Sequence, residues 1–532
     1  MKKVKLFWLL IFCCSLVDCA KRGIPNGGPK DEEPPFLTYA DPSENSTNFK
    51  EDRIRLYFNE YIKLKDFRKQ LVVSPPIDKS FYTINPQSGA SKFIQIDIKE
   101  ELENNTTYVF NFGESVVDNN EENPFPFFNY VFSTGNFIDS LNISGNIKSS
   151  FQRKPEEYIS TFLYPIDENF SDSIIYKGSP NYVASTLDST NFKMTNLKKG
   201  KYLLIALKDE NSNYKFDPEF EKIGFTSEPL NLPFSDSLEL KLFQETIPFK
   251  SFKPFIENNN KIGFGFKGNA DDVKINILNH PNVQSVITKN KETDTLNYWF
   301  KEFKYDSLNF EVLNSNYKKN YSLKFKESEK DSLIITSSIK STLELYESFK
   351  IISNRPLLKI DNDKINIYDK DSVSIPFKVN INNNQFDIDF HFEVLPNDNY
   401  IVKLLPNAIT DFFESTNDSL NYSFKTKSRA DYGTLKLGIA NIQEFPVIVH
   451  LINDKEDIIR EIKLNSYEDP CLFENLKPGN YFVRVIFDTN SNGKWDTGNF
   501  LKKIQPEKTF HYDQEITIRS NWILEEKFAI DR

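Results

Sequence analysis

Apolar residues along most of this chain recur at every second position, a period that suits a half-buried β-strand and not an amphipathic helix. Ile54, Leu56 and Phe58 alternate with polar residues; so do Ile94, Ile96 and Ile98, and then Tyr108, Phe110 and Phe112. Turn clusters such as Ser74-Pro75-Pro76, Asn85-Pro86 and Asn104-Asn105 interrupt these runs at the spacing of a β-sandwich. Only Ser341 to Phe349 carries a helix-like pattern. With 14% aromatic residues, mostly 48 Phe and 24 Tyr, and only 18 Gly, the chain suits packed sheets and excludes a collagen-like one. Its 532 residues suffice for about three to five units, each with its own core.

The first residues read as a targeting segment. Lys2, Lys3 and Lys5 precede an apolar run from Leu6 to Val17 that is too short to span a bilayer and has the plan of a secretory signal. Leu16-Val17-Asp18-Cys19 resembles the bacterial lipobox, so Cys19 is the expected lipid-bearing residue and the expected link to a membrane. Residues 20–35 combine Gly, Pro and charge without apolar periodicity, as a tether does. Beyond Cys19 the one remaining cysteine is Cys471, which leaves no disulfide framework. Sixty-six Lys plus Arg against 76 Asp plus Glu give a net charge of −10, which argues against a nucleic-acid partner.

Two internal echoes order the rest. Residues 196–217, NLKKGKYLLIALKDENSNYKFD, align without gaps to 475–496, NLKPGNYFVRVIFDTNSNGKWD, at an offset of 279. A second echo, at 292, pairs Tyr108 with Tyr400, Tyr130 with Tyr422, Phe132 with Phe424 and Thr134 with Thr426. The tether CAKRGIPNGGPKDEEPP, followed by RIRLYFNEYIKL, NTTYVFNFGESVVDNNEENP and FNYVFSTG, resembles the Ig-like-domain lipoproteins of Bacteroidota, whose first module is similar to the Ig-like domains of S-layer-type proteins. The resemblance is specific from Cys19 to about Gly135 and implies an outer-membrane lipoprotein with no assigned catalysis. The NL-x-x-G-x-Y hairpin resembles prealbumin-like modules of the kind found beside carboxypeptidases.

The expected fold is therefore all-β, with tandem Ig-like sandwiches alternating with prealbumin-like (carboxypeptidase-regulatory-like) β-sandwich modules. The expected division is a signal peptide at 1–18, a lipidated tether at 19–35, an Ig-like domain at 36–136, a prealbumin-like module at 137–247, a less legible β-rich region at 248–337, a second Ig-like domain at 338–428 and a second prealbumin-like module at 429–532.

Few motifs carry chemistry. Asp488, Asn490, Asn492 and Asp496 place oxygen side chains at positions 1, 3, 5 and 9 of a loop, with Gly493 at 6 and the Lys494 carbonyl at 7, as in the first part of an EF-hand calcium loop. Position 12 is Asn499 where the EF-hand has Glu, so the expectation is a weak calcium site of the extracellular-module type or an Asx-turned hairpin. The other copy, Asp209, Asn211, Asn213 and Asp217, has Tyr214 at the Gly position. Asp118 is expected to cap the turn before the last Ig strand. Every Asp-Ser pair precedes Leu, Ile, Val or Thr, which resembles the O-glycosylation signal of Bacteroidota. The hydroxyls are Ser140, Ser173, Ser189, Ser237, Ser307, Ser332, Ser372 and Ser419, with Thr295 in a matching Asp-Thr-Leu; strand-starting turns would produce the same pattern.

His280, His391, His450 and His511 form no metal-ligand pair or nucleophile set and are expected at the surface or on edge strands. Gly263-Phe-Gly265-Phe-Lys-Gly268 sits in alternating strand, where close backbone approach explains its glycines. The leading expectation is a non-enzymatic cell-envelope lipoprotein that serves as a spacer or binding protein, with an envelope protein or a glycan as partner. Lys21 and Arg22 directly after Cys19 favour the periplasmic face of the outer membrane over the cell surface. A calcium-dependent adhesin or glycan binder is the second reading, and a cryptic hydrolase or accessory subunit the third.

Overall fold

The computed structural model describes residues 30–187, 189–303, 305–324, 332–467 and 470–530; the signal segment and Cys19 lie outside them. The alternation of Arg53–Leu64 turns Ile54, Leu56 and Phe58 inward and pairs this strand antiparallel with Leu37–Asp41 and Ser91–Ile98. Tyr82–Asn85 extends the sheet beyond Ser91–Ile98, and Val116–Asp118 adds to the far end of Arg53–Leu64. A facing sheet of Val72–Ser74, Thr107–Asn111 and Asn129–Ser133 completes the first sandwich. Its core includes Ile54, Ile94, Phe110, Phe112 and Phe132, all without exposed surface; burial of such side chains contributes about 1.5–3 kcal/mol each.

The same plan returns in the fourth sandwich. One sheet holds Ile335–Ser337, Phe349–Ser353, Phe377–Ile381 and Asp387–Phe392, the other Thr342–Leu343, Ile365–Tyr368, Asn399–Leu404 and Leu420–Thr426. The offset of 292 persists down to single hydrogen bonds. The Glu103 N–H donates to the Tyr108 hydroxyl at 3.0 Å, and the Leu395 N–H to that of Tyr400 at 2.7 Å. Tyr108 stacks on Phe132 at 5.5 Å, and Tyr400 on Phe424 at 5.6 Å. The helix expected at Ser341–Phe349 does not form: Leu343 and Phe349 are drawn into the core from two different strands, so tertiary burial overrides a weak local pattern.

A different plan occupies 141–244 and 433–530, the second and fifth sandwiches. In each the first strand pairs in parallel with the last: Leu141–Ser149 with Leu238–Gln244, and Gly433–Ala440 with Ile523–Ala529. The repeated hairpin is held alike in both. The Tyr202 hydroxyl donates to the Lys198 carbonyl at 3.1 Å and the Tyr481 hydroxyl to that of Lys477 at 2.8 Å, while Asn196 and Asn475 both take a left-handed turn. Between the second and fourth sandwiches, residues 250–324 form two further sheets around Phe264, Phe300 and Phe310. A Cβ on Gly263 would stand 2.4 Å from the Phe255 ring, the close approach that the strand requires.

Three central strands, Gly200–Leu207, Val447–Ile452 and Gly479–Phe487, are buried on both faces. The inner faces pack in their own sandwiches; the outer face of Gly200–Leu207 is covered by Ile175, Phe216 and the segment around them together with Phe500, and Phe151 and Arg153 of the second sandwich lie over the outer face of the other two strands. Among the described residues, no helix is long and apolar enough to cross a membrane.

Candidate functional site

The outer face of the fifth sandwich carries a polar row where apolar residues would be the default. Antiparallel register sets Glu461 opposite His450, His450 opposite Arg484 and Arg484 opposite His511, so four strands deliver four polar side chains to one line. Arg484 is 1% exposed. Its Nη2 donates to His450 Nδ1 at 3.1 Å, its Nη1 donates to the Phe151 carbonyl at 3.1 Å, and the guanidinium lies 3.7 Å from the centre of the Phe151 ring. Glu456 stands 3.5 Å from the same Nη1 and accepts the Arg153 N–H at 2.9 Å. Arg153 in turn covers the Phe482 ring at 3.7 Å. Each sandwich thus inserts an arginine over an aromatic ring of the other. Burial pushes the Arg484 guanidinium down to about 10, and burial with the Arg484 charge pushes His511 down to about 4 and His450 below its ordinary value. His450 therefore departs from the expected surface or edge-strand placement, since it is buried on a central strand, whereas His511 does lie on an edge strand, Thr509–His511, half-buried at the contact; both are neutral there. The signal available in the sequence was one Arg in the otherwise apolar run YFVRVIF.

Strand Gly479–Phe487 leads directly into the Asp-Asn loop. Asp488 is 3% exposed; its oxygens accept the N–H groups of Asn492 at 3.0 Å and Gly493 at 2.8 Å. Asn490 and Asn492 turn their Nδ2 groups onto Asp496 Oδ2, at 2.6 and 2.5 Å, and Asn492 Oδ1 accepts the Lys494 N–H at 3.0 Å. Asn499 does not complete the loop; its backbone pairs both ways with Ile504. Glu507, which the spacing did not single out, reaches back instead and accepts from Thr489 through Oε1 and from the Asp496 N–H through Oε2. Among the described residues no group of three or more His, Cys, Asp or Glu is placed to hold a metal ion. A calcium ion at this loop would require both amides to turn their oxygens inward.

The first copy is built alike. Asp209 accepts the N–H groups of Asn213 at 3.1 Å and Tyr214 at 2.9 Å, and the Asp217 N–H donates to Glu221 at 2.8 Å. Asn211 is exposed. Tyr214 takes the left-handed conformation that Gly493 takes in the other loop, at φ 60° against 77°, and its ring packs edge-on against Phe162. Glu221 is fully buried with its Oε1 unpartnered, and desolvation raises its carboxyl above the usual range.

Glu221 and Glu507 occupy one role at different spacings. The first lies four residues beyond its Asp and the second eleven, so the C-terminal copy carries seven extra residues. That insertion clamps the two sandwiches together. Thr497 Oγ1 donates to the Gln244 carbonyl at 2.6 Å, the Phe500 N–H to Glu245, and Gln505 Nε2 to the Phe225 carbonyl at 2.9 Å. Phe500 has no exposed surface and meets Phe225 edge-on at 5.3 Å.

Asp118 caps its turn by accepting from the N–H groups of residues 120 to 123, and Asp411 does the equivalent in the fourth sandwich while also pairing with Arg355 at 3.0 Å. Of the candidate glycosylation hydroxyls, Ser140, Ser173, Ser189, Ser237, Ser332, Ser372 and Ser419 are exposed, whereas Thr295 and Ser307 are half-buried as the first residues of strands. Cys471 is buried in the fifth core. The lipidation candidate Cys19 lies outside the described residues.

Residues 31–134 match the family model described as a bacterial Ig-like domain. No curated protein sequence is similar to the chain. Among solved structures it is similar to domains 1–6 of the surface layer protein SbsC, at 9% identity over 87% of this chain and 67% of that one, with a TM-score of 0.14. It is also similar to the Bacillus anthracis TIE protein, at 10% identity over 95% of this chain and 76% of that one, with a TM-score of 0.14. A third is the major pilin subunit BcpA of Bacillus cereus, at 9% identity, 73% and 99% coverage, and a TM-score of 0.13.

Proposed function

We propose that this chain is a non-enzymatic structural protein of the bacterial cell envelope, tethered through lipid on Cys19 at the periplasmic face of the outer membrane. The observation that carries the structural reading is the contact between the second and fifth sandwiches. Arg484, Phe500 and Gln505 bond to residues more than 250 positions away in the chain, so the array is folded back on itself instead of hanging as independent beads. A fixed multi-sandwich body behind a tether is suited to holding a partner at a set distance from a membrane. The bacterial Ig-like domain at 31–134 and the signal-like segment before it support the envelope location.

Detergent-phase partitioning tests the anchor. Wild-type chain expressed with its own leader is expected in the detergent phase and Cys19→Ala in the aqueous phase; two aqueous chains would refute lipidation. Protease treatment of whole cells is expected to leave the protein intact, and its removal would place it on the outer face.

A further inference from the structure

Where the first sandwich meets the second, a cleft of about 830 Å³ opens between the sheet Val72–Ser74, Thr107–Asn111, Asn129–Ser133 and the strands Tyr182–Ser185 and Asn191–Leu197. These last two strands are the opposite edges of one sheet, so the cleft lies at the seam where that sheet fails to close. Its volume falls within the roughly 300–1,000 Å³ of small-molecule sites. The walls are tied by the Val183 N–H donating to Ser74 Oγ at 3.1 Å.

The lining is chemically unlike the rest of the chain. Charged residues make up 27% of the sequence, yet among the described lining residues Lys193 is the only charge, and half of the lining side chains are hydroxyls or amides, Asn111, Asn129, Ser144 and Thr195 among them. At the mouth, Phe127 stands 66% exposed on a left-handed backbone at φ 54°. A bulky residue rarely takes that conformation, and strain of this kind persists only where surrounding structure imposes it. Asn129 supplies the constraint: its Nδ2 donates to the Phe127 carbonyl at 3.0 Å. The other end of the same amide, Oδ1, is buried and has no hydrogen-bond partner. One side chain thus holds an aromatic ring out at the rim while its own acceptor stays unsatisfied, an arrangement that costs free energy.

We propose that this cleft binds a neutral oligosaccharide. Sugar hydroxyls are donors and acceptors at once, so they match a wall of Ser, Thr and Asn. The C–H face of a pyranose ring packs on an exposed aromatic such as Phe127, and among the described lining residues an uncharged ligand meets no charge except Lys193. An acidic polymer would find a single cation among the described lining residues, too little to compensate the desolvation of several carboxylates. The inference is independent of the lipid anchor, since the cleft belongs to the folded sandwiches.

The test is calorimetric titration of the intact chain with maltotetraose, cellotetraose, xylotetraose and chitotetraose, with tetragalacturonate as the acidic comparison and a neutral Ser/Thr-rich decapeptide as the extended-chain comparison. Saturable binding of at least one neutral tetrasaccharide is expected, weakened about tenfold by Phe127→Ala and also by Asn129→Ala, with Phe220→Ala, which removes an exposed ring elsewhere, behaving as wild type. Phe127→Ala deletes a ring in solvent and leaves the melting temperature unchanged, so it remains decisive if Asn129→Ala is unstable. No saturable binding of any neutral sugar, binding indifferent to Phe127→Ala, or binding of the decapeptide alone would overturn the proposal.

Discussion

Arg484 shows how one residue can decide whether two sandwiches stay together. Its guanidinium is compensated by His450, the Phe151 carbonyl and ring, and Glu456, and removing it leaves acceptors buried without donors. Arg484→Met is expected to destabilise the docked form by about 3 kcal/mol; chemical denaturation of the intact chain, followed by intrinsic fluorescence, measures it. The neighbouring histidines add a pH dependence of definite sign. His511, at about 4, and His450, also lowered, are neutral when docked, whereas in the unfolded chain they titrate near the ordinary value of about 6.5. Protons therefore bind preferentially to the open state, and stability is flat above about pH 6.5 and falls as pH drops toward about 4. Arg484, Arg153, Glu456 and Glu461 face this pair, and the two arginines reinforce the trend. His511→Gln is expected to flatten part of that slope in melts between pH 7.5 and 4.5; an unchanged slope would remove His511 from the account. Glu221 works in the opposite direction. Desolvation raises its carboxyl above the usual range, so its contribution to stability is present at low pH and lost as pH rises through the folded value, and Glu221→Gln is expected to remove that part of the pH dependence in the same melts.

At the level of elements, the two Asp-Asn loops are one design with two endings. The short ending in the second sandwich returns to its sheet within a few residues; the long ending in the fifth leaves its sandwich and lies on a neighbour. Gly498 sits where that segment passes the Phe243 ring, and a Cβ there would stand 2.7 Å from it. Gly498→Val is therefore expected to push the insertion off the second sandwich while the fifth keeps its core, visible as a larger radius of gyration in solution scattering with little loss of strand signal. Calcium at 5–10 mM, about ten times the weakest affinities of extracellular modules, tests the loop itself. With the amides oriented as they are, the melting temperature is expected to be the same in calcium and in EGTA, and a rise would mean that Asn490 and Asn492 turn over to admit the ion. The strands and the loop's turns were legible beforehand because alternation and Asx spacing are local properties. Glu507 was not: its role depends on chain return, and the interval between Asp496 and Glu507 shares nothing with that between Asp217 and Glu221. The strand Gly479–Phe487 was partly legible, since an unbroken apolar run announces two buried faces without saying what covers the second.

For the whole molecule, the repeats at offsets of 279 and 292 told which units are alike, and hydrogen bonds such as Tyr108 with Glu103 and Tyr400 with Leu395 carry that likeness to atomic detail. They could not tell which units touch. Contacts between distant units depend on outer-face residues, Phe151, Arg153 and Phe500 among them, that look like ordinary surface or core positions when read in order. The closure also has a mechanical meaning. Pull on the chain between its tether and its C-terminal strand, and the tension passes from the second sandwich to the fifth through the clamp, bypassing residues 250–428 altogether. The third and fourth sandwiches thus stay out of the main line of load until the clamp yields, and only then does their length add to the molecule's reach: the closure stores slack.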